Sequence, residues 1–161
     1  MTPDERIQEL GLVLPAPIKV PPNVQIPFSW VRVRGDRVYV SGHFALNPDG
    51  SIYGVAGKVG ADVSLEQAYE AARLTGLAIL SSLKRELGSL DRVNAWLRVF
   101  GMINTAPGFV QTPPVINGFS DVILDVFGPE RGDHSRSAVG MAELPFNAPV
   151  EIEAEVEISG N

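Results

Sequence analysis

The chain has 161 residues, with 13 Lys and Arg against 19 Asp and Glu, so its formal net charge at pH 7 is −6. This length is typical of one domain, and the lack of cysteine excludes disulfides, thiolate metal sites and a cysteine nucleophile. An acidic chain without a basic cluster is poorly suited to bind nucleic acid, and no apolar run is long enough for a membrane helix.

The acidic start, MTPDERIQELG, also lacks the basic and apolar regions of a signal peptide, so we expect a cytoplasmic protein. Residues 1–27 are predicted to form a short helix, about Pro3 to Leu10, followed by an extended lead-in. Proline favours extended backbone because its ring fixes φ. The lead-in prolines are Pro15, Pro17, Pro21, Pro22 and Pro27. Residues 28–161 are predicted to form a single domain.

Two turn signals follow within runs of β-forming residues. Residues 34–37 (RGDR) and 47–50 (NPDG) each separate two such runs, so we predict a hairpin at both turns and three strands in this region. Around the first turn, polar and apolar side chains alternate, as in a strand that is buried on one face.

Ser64 begins the longest helical pattern, with Gln67 placed to complete a capping box. The apolar stripe continues to Leu87, and Gly88 supplies the stop. Gly76 inside this helix costs about 1 kcal/mol relative to Ala. We interpret it as a site where the helix packs closely on a sheet.

The second half of the chain contains a strand over Asp91 to Ile103, a helix over Val115 to Phe127, and two more strands, RSAVGMAEL and VEIEAEVEI. The order is therefore β-β-β-α-β-α-β-β, which predicts an α+β domain with two helices on one face of a mixed sheet. Several strands are apolar on both sides. We therefore expect the second face of the sheet to be covered by another subunit.

Residue types alone suggest a few candidate sites, but they do not decide between a structural and a functional role for each. Arg136, between a charged loop and a strand, is either a surface residue or a group that grips a carboxylate with its planar fork. Ser41-Gly42, at a strand end, is either a simple turn or a place where a ligand approaches the backbone. The glutamates at 151, 153, 155 and 157 favour a solvated face over a metal site, although one of them could be functional. His43 does not complete a serine hydrolase, because no G-x-S-x-G motif surrounds Ser41.

Together the segments VYVSGHFALNPDG, SLEQAYEAARLTGLAILSSL and RSAVGMAELPFNAPVEIEAEVEI resemble the RidA/YjgF family of reactive-intermediate deaminases, also known as endoribonuclease L-PSP. The similarity covers about residues 28–158. It implies a chorismate-mutase-like fold that assembles as a homotrimer with a central barrel and clefts between subunits.

The resemblance also implies roles for particular residues. An arginine at the position of Arg136 holds the substrate carboxylate, and a glutamate at that of Glu151 positions or activates water. The Ser41-Gly42 pair lines the cleft. Asn117 and the aromatic residue Phe28 belong to the same site, partly from the neighbouring subunit.

Ala138 stands where family members often have cysteine, and Phe28 stands where better-known members have tyrosine. The expected reaction is hydrolysis of an enamine or imine of the 2-aminoacrylate type to a 2-oxo acid and ammonia, with no cofactor or metal. Two alternatives stay open: an aminomuconate-type deaminase acting on a larger dicarboxylate, and a non-catalytic trimer that binds a small metabolite. Neither nucleic acid nor a membrane is expected as a partner.

Overall fold

A computed structural model describes residues 1–160, so Asn161, the last residue of the predicted domain, lies outside the described residues. Two 3₁₀ turns, Leu90–Arg92 and Pro145–Asn147, accompany the main elements. The helices are α1 (Pro3–Glu9), α2 (Leu65–Leu87) and α3 (Thr112–Arg131), and the strands are β1 (Val31–Arg34), β2 (Arg37–His43), β3 (Val93–Asn104), β4 (Ser135–Met141) and β5 (Val150–Ile158).

The five strands form one mixed sheet in the order β1-β2-β5-β3-β4. Strand β4 runs parallel to β3, and the other neighbours are antiparallel. Helices α2 and α3 pack together on one face. The apolar residues of β5 lie buried on that side, from Val150 to Ile158, while its glutamates face away. The predicted α+β class, with two helices on one face of a mixed sheet, is confirmed.

Helix α2 begins and ends as the sequence predicts. The Ser64 hydroxyl accepts from the Gln67 N–H at 3.1 Å, and the Gln67 side chain accepts from the Ser64 N–H at 3.0 Å, which completes the capping box. At the other end, Gly88 has a φ of 84°, a value that glycine adopts without strain.

The predicted packing partner of Gly76 is wrong. A Cβ on Gly76 would meet the Val122 side chain of α3 at 2.8 Å, so this glycine admits the second helix and not the sheet. Gly118 on α3 serves the same contact from the other side, where a Cβ would overlap the carbonyl oxygen of Tyr69 on α2. The two helices approach so closely because each has a glycine at the crossing.

The second predicted hairpin forms a turn but not a third full strand. The Asn47 N–H donates to the Ser51 carbonyl at 2.8 Å, and only the single bridge between Leu46 and Ile52 follows it. The lead-in packs on this turn and bonds two of its carbonyl groups. The Ala16 N–H donates to the Pro48 carbonyl at 2.9 Å, and the lead-in donates a further bond to the Gly50 carbonyl at 2.9 Å.

Residues 1–27 pack against the rest of the chain. Ile7 of α1 belongs to the hydrophobic core, and α1 contacts α3. The buried Ser81 hydroxyl on α2 donates to the Pro15 carbonyl at 2.5 Å. Among the helices within residues 1–160, none is long and apolar enough to cross a membrane.

Candidate functional site

Four of the predicted site residues share one cleft at the junction of β2 and β5. Phe28, Ser41, Gly42 and Glu151 line this cleft, which has a volume of about 490 Å³. The Phe28 ring packs edge-to-face on Trp30, with centroids 5.1 Å apart. The structure therefore brings together the aromatic, the Ser-Gly pair and the glutamate, although more than 100 residues separate Gly42 from Glu151 in the sequence.

A bulge in β2 places Ser41 and Gly42 at this cleft. Val40 pairs with Ala154 and His43 with Ile152, so the two residues between them on β2 face a single residue of β5. A Cβ on Gly42 would overlap a carboxylate oxygen of Glu151. The glutamate can therefore lie over the backbone at this position only because residue 42 has no side chain.

The Glu151 carboxylate lies in an environment that disfavours its charge. Burial raises the pKa of Glu151, and the neighbouring Glu153 carboxylate raises it further. None of the ion pairs within residues 1–160 involves Glu151. A carboxyl group with a raised pKa exchanges protons with a bound ligand more readily near neutral pH than an exposed one does.

The other glutamates of β5 lie on the same face of the sheet as Glu151. Glu157 accepts from the side-chain amide of Asn94 at 2.9 Å, and Glu155 lies opposite Tyr39 and Arg98 in the strand register. Within residues 1–160, no group of three or more His, Cys, Asp or Glu side chains is placed to hold a metal ion.

His43 is a structural support of the cleft. Its Nδ1 lies 2.6 Å from the Ser41 carbonyl oxygen, which can only accept, so Nδ1 carries the proton. Its Nε2, 2.8 Å from the Ser82 hydroxyl, then accepts from that group, and Arg85 donates to the same hydroxyl at 3.2 Å. Burial lowers the pKa of His43 to about 4, so the ring is neutral at pH 7. The Ser41 hydroxyl itself donates to the Ser29 carbonyl at 2.7 Å, so it forms no Ser-His pair.

Arg136 is held by a second arrangement of the same kind. One of its Nη atoms donates to the Ser120 hydroxyl at 2.9 Å, and the other donates to the Pro113 carbonyl at 3.1 Å. Ser120 lies 2.9 Å from Nε2 of His134, whose Nδ1 lies 2.7 Å from the Gly132 carbonyl. The two histidines therefore have equivalent roles, each linking a serine on a helix to a carbonyl two residues earlier in the chain.

The Arg136 guanidinium is partly desolvated and has no ion-pair partner in the described part of the chain. Burial lowers the pKa of Arg136, while the nearby Asp121 carboxylate acts in the opposite direction. The group stays charged at neutral pH because the ordinary pKa of arginine is so high. Its two hydrogen bonds orient the planar fork and leave three of its five N–H donors for a ligand.

The structure divides the predicted residues between the two faces of the sheet. Arg136 pairs with the buried Val99 and points to the helix side, whereas Glu151 pairs with Met102 and faces away from the helices. Ala138 lies on the same side of β4 as Arg136, and its carbonyl accepts from the Thr112 hydroxyl. A single chain therefore does not bring Arg136 and Glu151 together.

Asn117 lies exposed on α3, between the two residues that hold Arg136. The predicted site residues thus form two separate groups on one chain, the cleft group (Phe28, Ser41, Gly42 and Glu151) and the edge group (Arg136, Ala138 and Asn117). Strand β4, which carries two members of the edge group, is an edge of the sheet.

The family model described as YjgF/chorismate mutase-like, with an endoribonuclease assignment, matches residues 4–155. The chain belongs to this family. Protein TCP17 of Trypanosoma cruzi is 39% identical over 153 residues, covering 95% of this chain and 92% of that protein. The crystal structure of Atu1372 from Agrobacterium tumefaciens is 39% identical, with a TM-score of 0.84 over 98% of this chain and 92% of that one.

A more distant relative has the same fold. The structure of Escherichia coli TdcF with bound serine is 22% identical, with a TM-score of 0.57 over 89% of this chain and 99% of that one. These matches confirm the resemblance to the RidA/YjgF family that the sequence motifs indicate.

Sequence reasoning missed most of the apolar residues that line the cleft in this YjgF-family chain, and Phe146 is one of them. Phe146 has a φ of 62° and Asn147 a φ of 53°, a region that bulky residues rarely adopt. The buried Asn104 amide donates to the Asn147 side chain at 3.1 Å, and the Gly57 N–H donates to the Asn147 carbonyl at 2.8 Å. The motif PFNAP indicates a turn, but nothing in it reveals that this turn directs the Phe146 ring into the cleft.

Proposed function

We propose that this protein is a cofactor-independent deaminase that hydrolyses 2-imino acids, and their enamine tautomers, to 2-oxo acids and ammonia. The observation that carries the proposal is the half-buried Glu151 carboxylate, which lies directly over Gly42 in a cleft and has a raised pKa. A carboxylate in this position is suited to taking a proton from water and returning it to a leaving amine.

The reaction needs no activated cofactor because the imine carbon is already electrophilic. Glu151 accepts a proton as a water oxygen bonds to the carbon of the protonated imine, and the product of this step is a neutral tetrahedral carbinolamine. The same carboxyl group then returns that proton to nitrogen. The C–N bond breaks and ammonia leaves, while the carboxylate accepts the hydroxyl proton, so that the hydroxyl oxygen becomes the carbonyl of the 2-oxo acid. The accepted proton finally passes to ammonia, which is released as ammonium.

Arg136 is proposed to bind the substrate carboxylate. Its guanidinium is oriented by Ser120 and Pro113 and has no ion-pair partner within residues 1–160. A planar fork held in this way suits a carboxylate, and the binding energy positions the imine carbon for attack. The serine bound to TdcF, a protein with the same fold, carries a carboxylate next to its amine-bearing carbon, as the proposed substrate does.

A complete site requires a second copy of the chain, because Arg136 and Glu151 lie on opposite faces of one sheet. We therefore propose a homotrimer in which the edge group of one protomer meets the cleft group of the next. The same surface patches repeat around a closed ring, so three equal sites form. The exposed edge strand β4 and the outward apolar residues Tyr39 and Val139 support this assembly.

The test is imine hydrolysis with the imine generated in the cuvette by an amino-acid oxidase in the presence of catalase. Semicarbazide competes for the imine, and faster conversion of imine to 2-oxo acid lowers the semicarbazone signal. We expect wild type to suppress the signal and Glu151→Gln to lose at least 100-fold of the activity, the usual contribution of a positioned acid–base group. Arg136→Ala should lose a comparable factor, because the imine is no longer positioned for attack. Arg34→Ala, at an exposed strand end, serves as the matched control.

If wild type accelerates the hydrolysis of none of the imines, the deaminase proposal is wrong. Calorimetric binding of a 2-oxo acid would then favour the non-catalytic metabolite-binding trimer. If Arg136→Ala keeps full activity, the reaction assignment stands but the carboxylate-binding role of Arg136 does not.

A further inference from the structure

The cleft at Glu151 has apolar walls that imine hydrolysis by itself does not require. Besides the site residues, these walls come from Ile18, Val24 and Ile26 of the lead-in, and from Phe44 and Phe146. We infer that the preferred substrates are 2-imino acids with a large apolar side chain, which these walls bind. This inference rests on the proposed function and specifies the substrate class of the same site.

The apolar wall residues are unusually exposed for their type. Val24 is 47% exposed, Phe28 53% and Phe146 55%. Apolar side chains that surround one carboxylate and remain open to water form the wall of a ligand site, because ligand binding removes their surface from water.

The lead-in wall is preformed. Its start is held by the bonds from the Ala16 N–H to the Pro48 carbonyl and from the Ser81 hydroxyl to the Pro15 carbonyl. Further along, the Val24 N–H donates to the Pro21 carbonyl at 3.0 Å, which closes a turn that carries the Val24 side chain. A wall fixed before the ligand arrives loses less conformational entropy on binding.

Phe146 is a wall residue whose backbone conformation is strained. Its left-handed backbone is held by the contacts of Asn147 with Asn104 and Gly57, and its ring lies edge-to-face on Phe44, with centroids 5.4 Å apart. A bulky residue in this conformation persists only where the surroundings enforce it, and such positions cluster at ligand sites. The strain is therefore consistent with a direct role of this ring in binding.

The charges of the cleft disfavour dicarboxylic substrates. Among the described residues of one protomer that line it, the titratable side chains are the carboxylates of Glu151 and Glu153, and no Lys, Arg or His is present. In the proposed trimer, Arg136 of the neighbouring protomer binds the carboxylate that all these imines share, so a second carboxylate on the side chain would face only Glu151 and Glu153 and be repelled. At the other extreme, the methylene group of 2-aminoacrylate fills little of a cleft of about 490 Å³ and contacts few of its walls.

The experiment compares imines that share the reacting group and differ in the side chain. A D-amino-acid oxidase supplies them from D-leucine, D-phenylalanine and D-alanine, and a D-aspartate oxidase supplies the dicarboxylic imine from D-glutamate. In the semicarbazide assay we expect kcat/KM for the leucine and phenylalanine imines to exceed that for the alanine imine at least tenfold, since one methylene in an apolar pocket is worth about 10-fold or more. The glutamate imine should be the poorest substrate.

Two variants of the lead-in test whether its apolar wall causes the substrate preference. Val24→Asp should lower kcat/KM for the leucine imine at least tenfold more than it lowers kcat/KM for the alanine imine, because only the larger side chain reaches this wall. Val13→Asp is the matched control, because Val13 is an exposed lead-in valine (61%) outside the residues that line the cleft. Equal effects of the two variants would overturn the assignment of the wall.

The outcomes separate this inference from the proposed function. If the alanine or glutamate imine is the best substrate, the apolar preference is wrong and the deaminase function stands. If no imine is hydrolysed, the deaminase function is wrong, and calorimetric affinities for 4-methyl-2-oxopentanoate and pyruvate then decide the preference. Tighter binding of the larger acid supports it, and equal or weaker binding overturns it.

Discussion

The buried ring of His43 should make the stability of the fold depend on pH. The folded protein holds this imidazole neutral, with a pKa lowered to about 4 by burial, whereas an unfolded chain takes up the proton near pH 6.5. The stabilisation is therefore fully present above pH 6.5 and is lost progressively as the pH falls towards 4. A difference of 1 between the pKa values of the folded and unfolded states corresponds to about 1.4 kcal/mol. The free energy of unfolding therefore falls by about 3 kcal/mol in total.

The structure provides the physical reason for this dependence. Protonation of Nε2 would place a second donor against the Ser82 hydroxyl, which already receives a bond from Arg85, and would add a charge next to that guanidinium. In the neutral ring, both nitrogens have complementary partners. The ring also holds the Ser41 carbonyl, so its protonation should loosen the bulge that places Gly42 at the cleft.

The assay is urea unfolding of wild type and His43→Gln at pH 7, 6, 5 and 4 and one fixed protein concentration. Glutamine can still accept from Ser82 but does not titrate. Contributions from other groups, including the opposite one from the raised pKa of Glu151, cancel in the difference between the two proteins. The stability advantage of wild type should shrink by about 3 kcal/mol from pH 7 to pH 4. An advantage that is independent of pH would refute the reasoning.

Three further predictions follow from the packing and the assembly. Gly42→Ala should lower imine hydrolysis at least tenfold with little change in melting temperature, because the new Cβ displaces the Glu151 carboxylate; wild-type activity in this variant would contradict the site geometry. Gly118→Ala should destabilise the protein by about 1–3 kcal/mol or more, because its Cβ overlaps the backbone carbonyl of Tyr69. Gly76→Ala should cost less, because its Cβ meets only a side chain and the gain in helix propensity offsets about 1 kcal/mol. Equal losses of unfolding free energy in urea for the two variants would contradict this difference between a backbone and a side-chain contact. Sedimentation equilibrium at micromolar concentration should give three times the chain mass of 17.3 kDa, and a monomer would exclude the trimer.

Local patterns predicted the elements whose stability depends on near neighbours. The Ser64–Gln67 capping box, the stop at Gly88 and the alternation of β5 all act over a few residues, and all three appear in the structure. Helix α3 is longer than predicted, because proline at its first turn is tolerated and the kink at Gly128 lets the backbone continue to Arg131. The Ser41-Gly42 pair is also a short sequence pattern, but the role of the bulge there depends on the residues of the neighbouring strand that lie opposite it.

Contacts between different segments decided the structural features that local patterns did not predict. The partner of Gly76 is another helix, and the second predicted hairpin keeps a single bridge and has the lead-in bonded to its turn. Similarly, both histidines act through a serine on a helix, 39 and 14 residues away in the sequence. Periodicity reports which side of an element is buried, but it does not report which other element covers that side.

For the candidate site, the sequence by itself determined the family and the residue types that could do chemistry. Only the tertiary structure decided that Glu151 lies over Gly42, that Arg136 points to the other face of the sheet, and that the lead-in builds an apolar wall around the carboxylate. The physical reason is that a motif specifies side chains and local backbone, whereas the face of a sheet and the wall of a cleft are set by strand register and by packing between segments far apart in the chain.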